Sequence, residues 1–520
     1  ENADIPLPTG DTQLDITTFY SIQNDFPETY GLRAGEIVAN APESRKAQAK
    51  QLKAYLLFFE QLLANYCKQL DRLQDLFSAR SDADRTYFAQ PLYEVPAVQE
   101  LYQDFLLEKK ANPPLNWEQF KQFCNGHRKT LNDTVENRDT FLRRRNQFID
   151  HLLARFAESF TDYAAWSYAR NGGTLSPDLV FDKLDFLQRA PELSANRATA
   201  FNLTATRPNG APDVWDTANV SGYEKRVAAL LGIPDIRRRT LGVKFDILRY
   251  RTITDLQGTG AAQKGRFRLQ NIPVSNPPGN PKVLLLSDQA YLVSELDQRV
   301  TQVMNGGRNA RAYRVQQDPN KRVADCRYLV DLVAPDNSAN PLPAKAAGQD
   351  MFLFTNRALL EAHIRETMQL LQGRPAEGMH VVEHLLLRPV DDSTTVLAPV
   401  AFPGAGGEVF IPDPHSFQVS IFLPGWAPRF QDPEFRVVVE RVLRRELPAH
   451  IFPYIYWVEL DANQQVPAEF TAFETAWRNW LEKQFTVDRP AAQDQLVLAI
   501  NQLVVSPVVT PAYRHQPFVL

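Results

Sequence analysis

Residues 378–389 read GMHVVEHLLLRP, and within them His380, Glu383 and His384 spell H-x-x-E-H. On a helix the two imidazoles would lie one turn apart on a single face, spaced to hold a zinc ion, with Glu383 beside them to deprotonate a metal-bound water. That chemistry needs a helix, and the local composition argues against one. Val381-Val382 and Leu385-Leu386-Leu387, enclosed by Gly378 and Pro389, favour a buried strand over 380–388. In a strand His380, Val382, His384, Leu386 and Arg388 face one side. Glu383 then faces the other with Val381, Leu385 and Leu387, where it cannot serve a metal held by the histidines. No spacing specifies a third ligand; Glu446 and Glu459 are merely available. The motif is therefore read as structural. No catalytic, cofactor-binding or metal-ligating residue is assigned, no cofactor is expected, and a zinc metallopeptidase stands as the alternative.

Other chemistry is no better placed. No G-x-S-x-G elbow occurs, and Gly258-Thr259-Gly260-Ala261-Ala262-Gln263-Lys264-Gly265 fits neither the phosphate-loop nor the dinucleotide spacing, so it reads as a flexible loop. The basic triplets Arg143-Arg144-Arg145 and Arg237-Arg238-Arg239 read as solvated faces. No carboxylate pair sits in an apolar setting that would raise one pKa for acid-base work. Phe422-Leu423-Pro424-Gly425-Trp426-Ala427-Pro428-Arg429-Phe430 forms a rigid hydrophobic corner, expected to cap its own core or to anchor a partner. Trp457, Trp477 and Trp480 read as core or helix-face residues.

With 520 residues the chain is long enough for about three domains. A formal net charge of -4 supplies no positive field to recruit nucleic acid or an anionic membrane. The longest apolar runs, such as Val283–Leu286 and Leu385–Leu387, fall far short of the roughly 20 residues that cross a bilayer. Cys67, Cys124 and Cys326 lie far apart without C-x-x-C spacing, which points to a reducing compartment. The chain opens at Glu1 with neither Met nor signal peptide and is read as one segment of a longer product. Its 37 prolines against 4 methionines suit a loop-rich protein with large surfaces better than a compact enzyme.

The elements that must position these residues follow from periodicity, and they predict a multidomain α+β chain. An extended N-terminal segment covers 1–40. A helical hairpin or bundle covers 41–171, led by a helix from Pro42 to about Phe77 with no internal Gly or Pro, on the order of 50 Å long. Leu52, Leu56, Phe59, Leu63, Tyr66, Leu70, Leu73 and Phe77 form a heptad seam along it. The seam is expected to pack antiparallel, as ordinary core, against a stripe of Phe141, Phe148, Leu152, Phe156, Phe160 and Tyr163 in the segment 133–166, with a groove that accepts a partner helix as the alternative. Short helices near 94–110 and 116–131 fill the connection. Residues 172–280 read as an irregular connector with one helix near Tyr223–Leu231 and a strand near Arg266–Gln270. An α+β domain at 281–375 holds a possible duplicated strand-helix unit, Val283–Ser287 with Ser294–Met304 and Met351–Thr355 with Leu359–Leu371, plus strands at 312–316 and 327–333. A ferredoxin-like α+β domain at 376–490 holds strands at 380–388, 417–423 and 451–460 and helices at 433–446 and 469–482, and 491–520 is a docking tail.

Several blocks also resemble a large accessory or wedge protein of the baseplate of bacterial contractile injection systems, which are phage-tail-like particles. They are Tyr20-Ser21-Ile22-Gln23-Asn24-Asp25-Phe26-Pro27 with Tyr30-Gly31, then the run 45–66, the run 144–158, Val382-Glu383-His384-Leu385-Leu386-Leu387-Arg388-Pro389, Pro424-Gly425-Trp426, Phe473-Glu474 and Trp480-Leu481. The resemblance is scattered over most of the chain and carries no active site. It implies a structural, non-enzymatic subunit that holds the baseplate around the spike and couples its state to sheath contraction. The implied partners are a baseplate J-like wedge protein, the spike or hub, and the sheath and tube initiators, in a particle assembled in the bacterial cytoplasm and released from it. A general scaffold outside any such particle is the remaining alternative.

Overall fold

The computed structural model describes residues 20–33, 36, 40–79, 83, 85–88, 135–271, 280–317, 328–335, 340–347, 353–354, 356–389, 397, 402–403, 409–410 and 413–512. The chain is a mixed α+β protein. In order it forms α1 (Glu43–Asp71), α2 (Arg138–Arg155), α3 (Thr161–Arg170), α4 (Pro177–Ala195), α5 (Gly222–Leu231), β1 (Arg251–Gln257), β2 (Lys264–Asn271), β3 (Lys282–Leu286), β4 (Tyr291–Leu292), α6 (Leu296–Gly307), β5 (Tyr313–Gln317), β6 (Tyr328–Val333), β7 (Pro341–Ala346), β8 (Leu353–Phe354) and α7 (Arg357–Leu371). Then come β9 (His380–Glu383), β10 (Phe402–Pro403), β11 (Val409–Phe410), β12 (Gln418–Pro424), α8 (Pro433–Glu446), β13 (Phe452–Val458), α9 (Ala468–Glu482), α10 (Arg489–Val505) and β14 (Val509–Pro511).

The chain divides into two compact units, one of Glu1–Leu152, Val315–Leu329 and Leu353–Leu360, the other of Leu153–Arg314, Val330–Phe352 and Glu361–Leu520. In the first, α1 runs 29 residues before the helix breaks at Arg72, and a four-residue turn, Leu73–Leu76, follows it. The expected core seam is not the covered face. Ala49, Lys53, Leu56, Leu57, Glu60 and Ala64 are buried, whereas Phe59, Leu63, Tyr66, Leu70, Leu73 and Phe77 of the seam are exposed. A heptad repeat states which residues share a face, and here Lys53 and Glu60 mark the face that is covered. The second stripe is also interrupted: α2 ends at Arg155, Ala157 has φ +55°, and Phe156 is exposed. Phe77 of the seam meets Phe148 of the second stripe edge-on with ring centroids 5.1 Å apart. Arg145 donates to the carbonyls of Asp75, Leu76 and Ser78 at 3.2, 2.6 and 2.9 Å, a cation on the free carbonyls of a helical end. The helices expected at 94–110 and 116–131 lie outside the described residues. The N-terminal extended piece forms two short 3-10 turns, Ile22–Asp25 and Glu28–Tyr30.

Among its described residues the second unit contains two larger sheets and the two-stranded pair β10-β11. β1 to β3 and β7 to β6 run antiparallel in the order β1-β2-β3-β7-β6, with β4 on β2. The glycine-rich 258–265 is the hairpin end between β1 and β2, with positive φ at Gly258 and Gly260. Of the proposed duplicated pair, β3 lies between β2 and β7 whereas β8 pairs with β6, so the two strands do not have equivalent neighbours. Helix α4 stands where the sequence reads as an irregular connector; Gly172-Gly173 before it and Pro191 inside it hide an apolar face of Leu179, Val180, Leu184, Phe186, Leu187, Ala190 and Leu193.

The C-terminal sheet has the order β14-β13-β12-β9, with β12 and β13 parallel and both outer pairs antiparallel. A ferredoxin-like sheet shares these strand directions. The connections differ, because α8 joins the two central strands directly. Helices also lie on both faces: Trp457 turns toward α8, while Phe422, Tyr454 and Tyr456 pack with Phe470, Phe473, Trp477, Leu496 and Leu503 of α9 and α10. The expected docking tail is largely α10, whose apolar Leu496–Val505 half joins that core. Asp432 accepts from the N–H groups of Glu434 and Phe435, and Pro433 occupies the first turn, so α8 starts where its sequence says it should.

Candidate functional sites: a histidine strand, a buried arginine hub and an exposed helix face

β9 pairs with β12 in the register His380↔Phe422, Val381↔Ile421, Val382↔Ser420 and Glu383↔Val419. β12 begins at Gln418, so a strand continued to 388 would have no neighbour; the chain instead forms a 3-10 turn over His384–Leu387. The expected strand is thus real for four residues. Within the core, His380 Nε2 lies 2.8 Å from Glu474 Oε1, and the same carboxylate accepts the N–H groups of Leu241 at 2.5 Å and Gly242 at 3.1 Å. Three donors converge on Glu474, which fastens the 241–242 loop and β9 to α9.

His384 makes two bonds, Nδ1 to the Pro414 carbonyl at 2.7 Å and Nε2 to Ser420 Oγ at 2.8 Å, while its ring stacks on Tyr454. A carbonyl only accepts, so Nδ1 carries the proton and Nε2 of the neutral ring accepts the serine hydroxyl. Burial pushes this imidazole down to about 4, against the opposing pull of the Pro414 carbonyl. Glu383 points away from both histidines; burial pushes its carboxyl up, Glu224 adds to the rise and Arg238 opposes it. The three side chains end in three separate surroundings. Glu446 is bound by Arg226 at 2.5 Å and Arg197 at 3.1 Å, and Glu459 by Arg436 at 2.5 Å. Among the described residues no group of three or more His, Cys, Asp and Glu is arranged to hold a metal ion.

The most concentrated polar chemistry carries no sequence signature at all. Arg374, fully buried, uses all five of its donors: Nε to Gln372 at 3.1 Å, Nη1 to Asp182 at 2.8 Å and the Gly232 carbonyl at 3.0 Å, Nη2 to Asp178 at 2.5 Å and Tyr163 Oη at 2.6 Å. Beside it Arg429 clasps Glu377 through Nε at 2.6 Å and through Nη2, and donates to the Leu231 carbonyl at 3.0 Å and to Tyr163 Oη at 3.2 Å. Burial opposes the charge on Arg374, but Asp182, Asp178 and Glu377 outweigh it and hold the guanidinium well above its ordinary value. Gly232, with φ +63°, ends α5 and turns its carbonyl to Arg374; a Cβ there would lie 2.2 Å from Asp182 Oδ2. The hub joins α3, α4, the end of α5, the turn after α7 and the corner after β12. It is shut off from solvent, so its chemistry is positional.

The basic triplets are only partly solvated. Arg145 and Arg238 are buried, Arg238 on the Val214 carbonyl at 3.1 Å and over the ring of Phe201; Arg237 and Arg239 flank Asp235 at 2.9 Å each. Trp426 and Phe430 of the proline-flanked corner are buried, as are Trp457, Trp477 and Trp480.

The first unit presents the opposite kind of surface. Tyr55, Phe58, Phe59, Leu62, Leu63, Tyr66 and Leu70 are all exposed on α1, Phe58 to 84%. At on the order of 200 Å² per aromatic side chain, the exposed parts of Tyr55, Phe58, Phe59 and Tyr66 sum to roughly 500 Å², and the three leucines extend the stripe beyond what monomers commonly expose. The helix is held by its polar back: Glu60 accepts from Gln23 Nε2 at 2.7 Å, from the Gln23 N–H at 3.2 Å and from the Ser21 hydroxyl. Two of the blocks quoted above, 20–31 and 45–66, thereby fasten to each other. No known protein family and no curated protein matches this chain. No helix among the described residues is long and apolar enough to cross a membrane.

Proposed function

We propose that this protein is a structural subunit of the baseplate of a contractile injection system, acting through broad contacts with neighbouring subunits. The observation that supports this reading is the apolar stripe on α1. Seven large side chains are held outward by a buried polar clasp, and heptad spacing is the spacing with which one helix interlocks with another. The partner would be a neighbouring subunit presenting a complementary apolar helix face. The histidines, bound to Glu474, Pro414 and Ser420, fit a role in fastening the C-terminal sheet. Electron microscopy of particles from a strain lacking the protein tests the reading. Missing or incomplete baseplates are expected, and normal particles able to contract would overturn it.

A further inference from the structure

The second unit also holds an open cavity of about 610 Å³, within the size range of small-molecule sites. It lies between the end of α3, the 244–248 loop, α6 and the corner after β12. One wall is apolar, built from Phe245, Ile247, Leu248, Met304, Trp426 and Pro428; Arg170, Lys244 and Arg308 supply the cations.

Of the two carboxylates on the lining, Asp432 is paired with a cation and Asp246 takes only a backbone N–H. Asp432 caps α8 through Oδ1, and its Oδ2 accepts from Trp166 Nε1 at 3.0 Å and from Arg170 at 3.1 Å. Asp246 accepts from the Leu248 N–H at 2.9 Å. Arg308 donates Nε to the Leu371 carbonyl at 3.0 Å and has no acidic partner among the described residues. Burial lowers its affinity for the proton, and the like charge of Arg170 lowers it further. A half-buried guanidinium without an acidic partner, on the lining of a cavity, is an electrostatic position completed by an anion.

We propose that this cavity binds a small amphiphilic carboxylate, its head held by Arg308 and its apolar body laid on the wall of Phe245, Met304 and Pro428. An inorganic anion alone would leave that wall wet, and a neutral apolar molecule would leave Arg308 unpaired. The proposal is independent of the assembly reading. Titration calorimetry of the full chain with 3-phenylpropanoate and with neutral 3-phenylpropan-1-ol tests it. The acid is expected to bind one per chain, with the alcohol at least about tenfold weaker and Arg308→Gln costing the acid a similar factor. Thr301→Trp, at an exposed α6 position on the cavity lining, should block the acid in a chain whose Arg308 is untouched, so that loss of binding does not rest on Arg308→Gln alone. Equal affinities for acid and alcohol, no saturable heat with the acid, or unchanged acid binding in both variants would overturn the site.

Discussion

The arginine hub and the face of α1 invert the usual distribution of residues. In one, two guanidiniums, three carboxylates and a phenol are enclosed in protein; in the other, four aromatic rings and three leucines stand in solvent. Buried charge is costly unless every donor and acceptor is matched, and the hub matches all five donors of Arg374. Exposed apolar area lowers no free energy in the isolated chain. The comparison separates a region whose interactions are complete from one whose interactions await a neighbour.

Breaking the complete region should have the largest effect. Arg374→Met leaves Asp178 and Asp182 without their cation, and a loss of about 3–5 kcal/mol is expected in urea unfolding. A loss near zero would mean that the hub is not what holds the second unit.

Acid should sharpen the same contrast. Burial pushes His384 and His363 down to about 4 each, His363 against the pull of the Leu284 carbonyl. The folded imidazoles therefore bind protons less readily than the unfolded ones, whose ordinary value is about 6.5. Their stabilisation is complete above that value and is lost as pH falls through 6.5 toward 4, by about 3 kcal/mol per histidine. Urea midpoints measured between pH 7 and pH 4 check this, and His384→Gln should flatten the slope by one proton.

The clasp of α1 is smaller. Glu60→Ala leaves Ser21 and the Gln23 amide buried without their acceptor and should cost about 1–3 kcal/mol of stability in the first unit, read by urea unfolding of the full chain. Smallest in stability is Phe58→Asp with Tyr66→Asp, expected to change unfolding by less than about 0.5 kcal/mol, because both rings are already in water.

How far the sequence revealed these regions depends on which physical signal each carries. α8, β12, β13 and α9 announce themselves through strong periodicity, as does the helix near Tyr223–Leu231, and the structure adds the Asp432 cap to α8 and a capping box of Ser221 and Glu224 to α5. α4 is hidden by Pro191, since a proline inside a helix reads as its end. The seam on α1 was legible as a stripe but not as an exposed one, because Lys53 and Glu60 on the covered face look like solvent-facing residues until Ser21 and Gln23 meet Glu60. The hub was illegible: Tyr163, Asp178, Asp182, Arg374, Glu377 and Arg429 are spread over 267 positions with no spacing rule, and only the fold brings them together. The H-x-x-E-H pattern was the reverse case, a strong spacing whose chemistry depended on a helix that the valines and β12 do not permit.

The central claim is that the α1 face is an assembly surface, and sedimentation of native lysates on a density gradient tests it most directly. Wild-type protein, followed by mass spectrometry, should migrate with particles containing tube and sheath subunits, while the Phe58→Asp, Tyr66→Asp protein should migrate free of them. Wild-type protein migrating free, or the variant migrating with the particles as the wild type does, would contradict it.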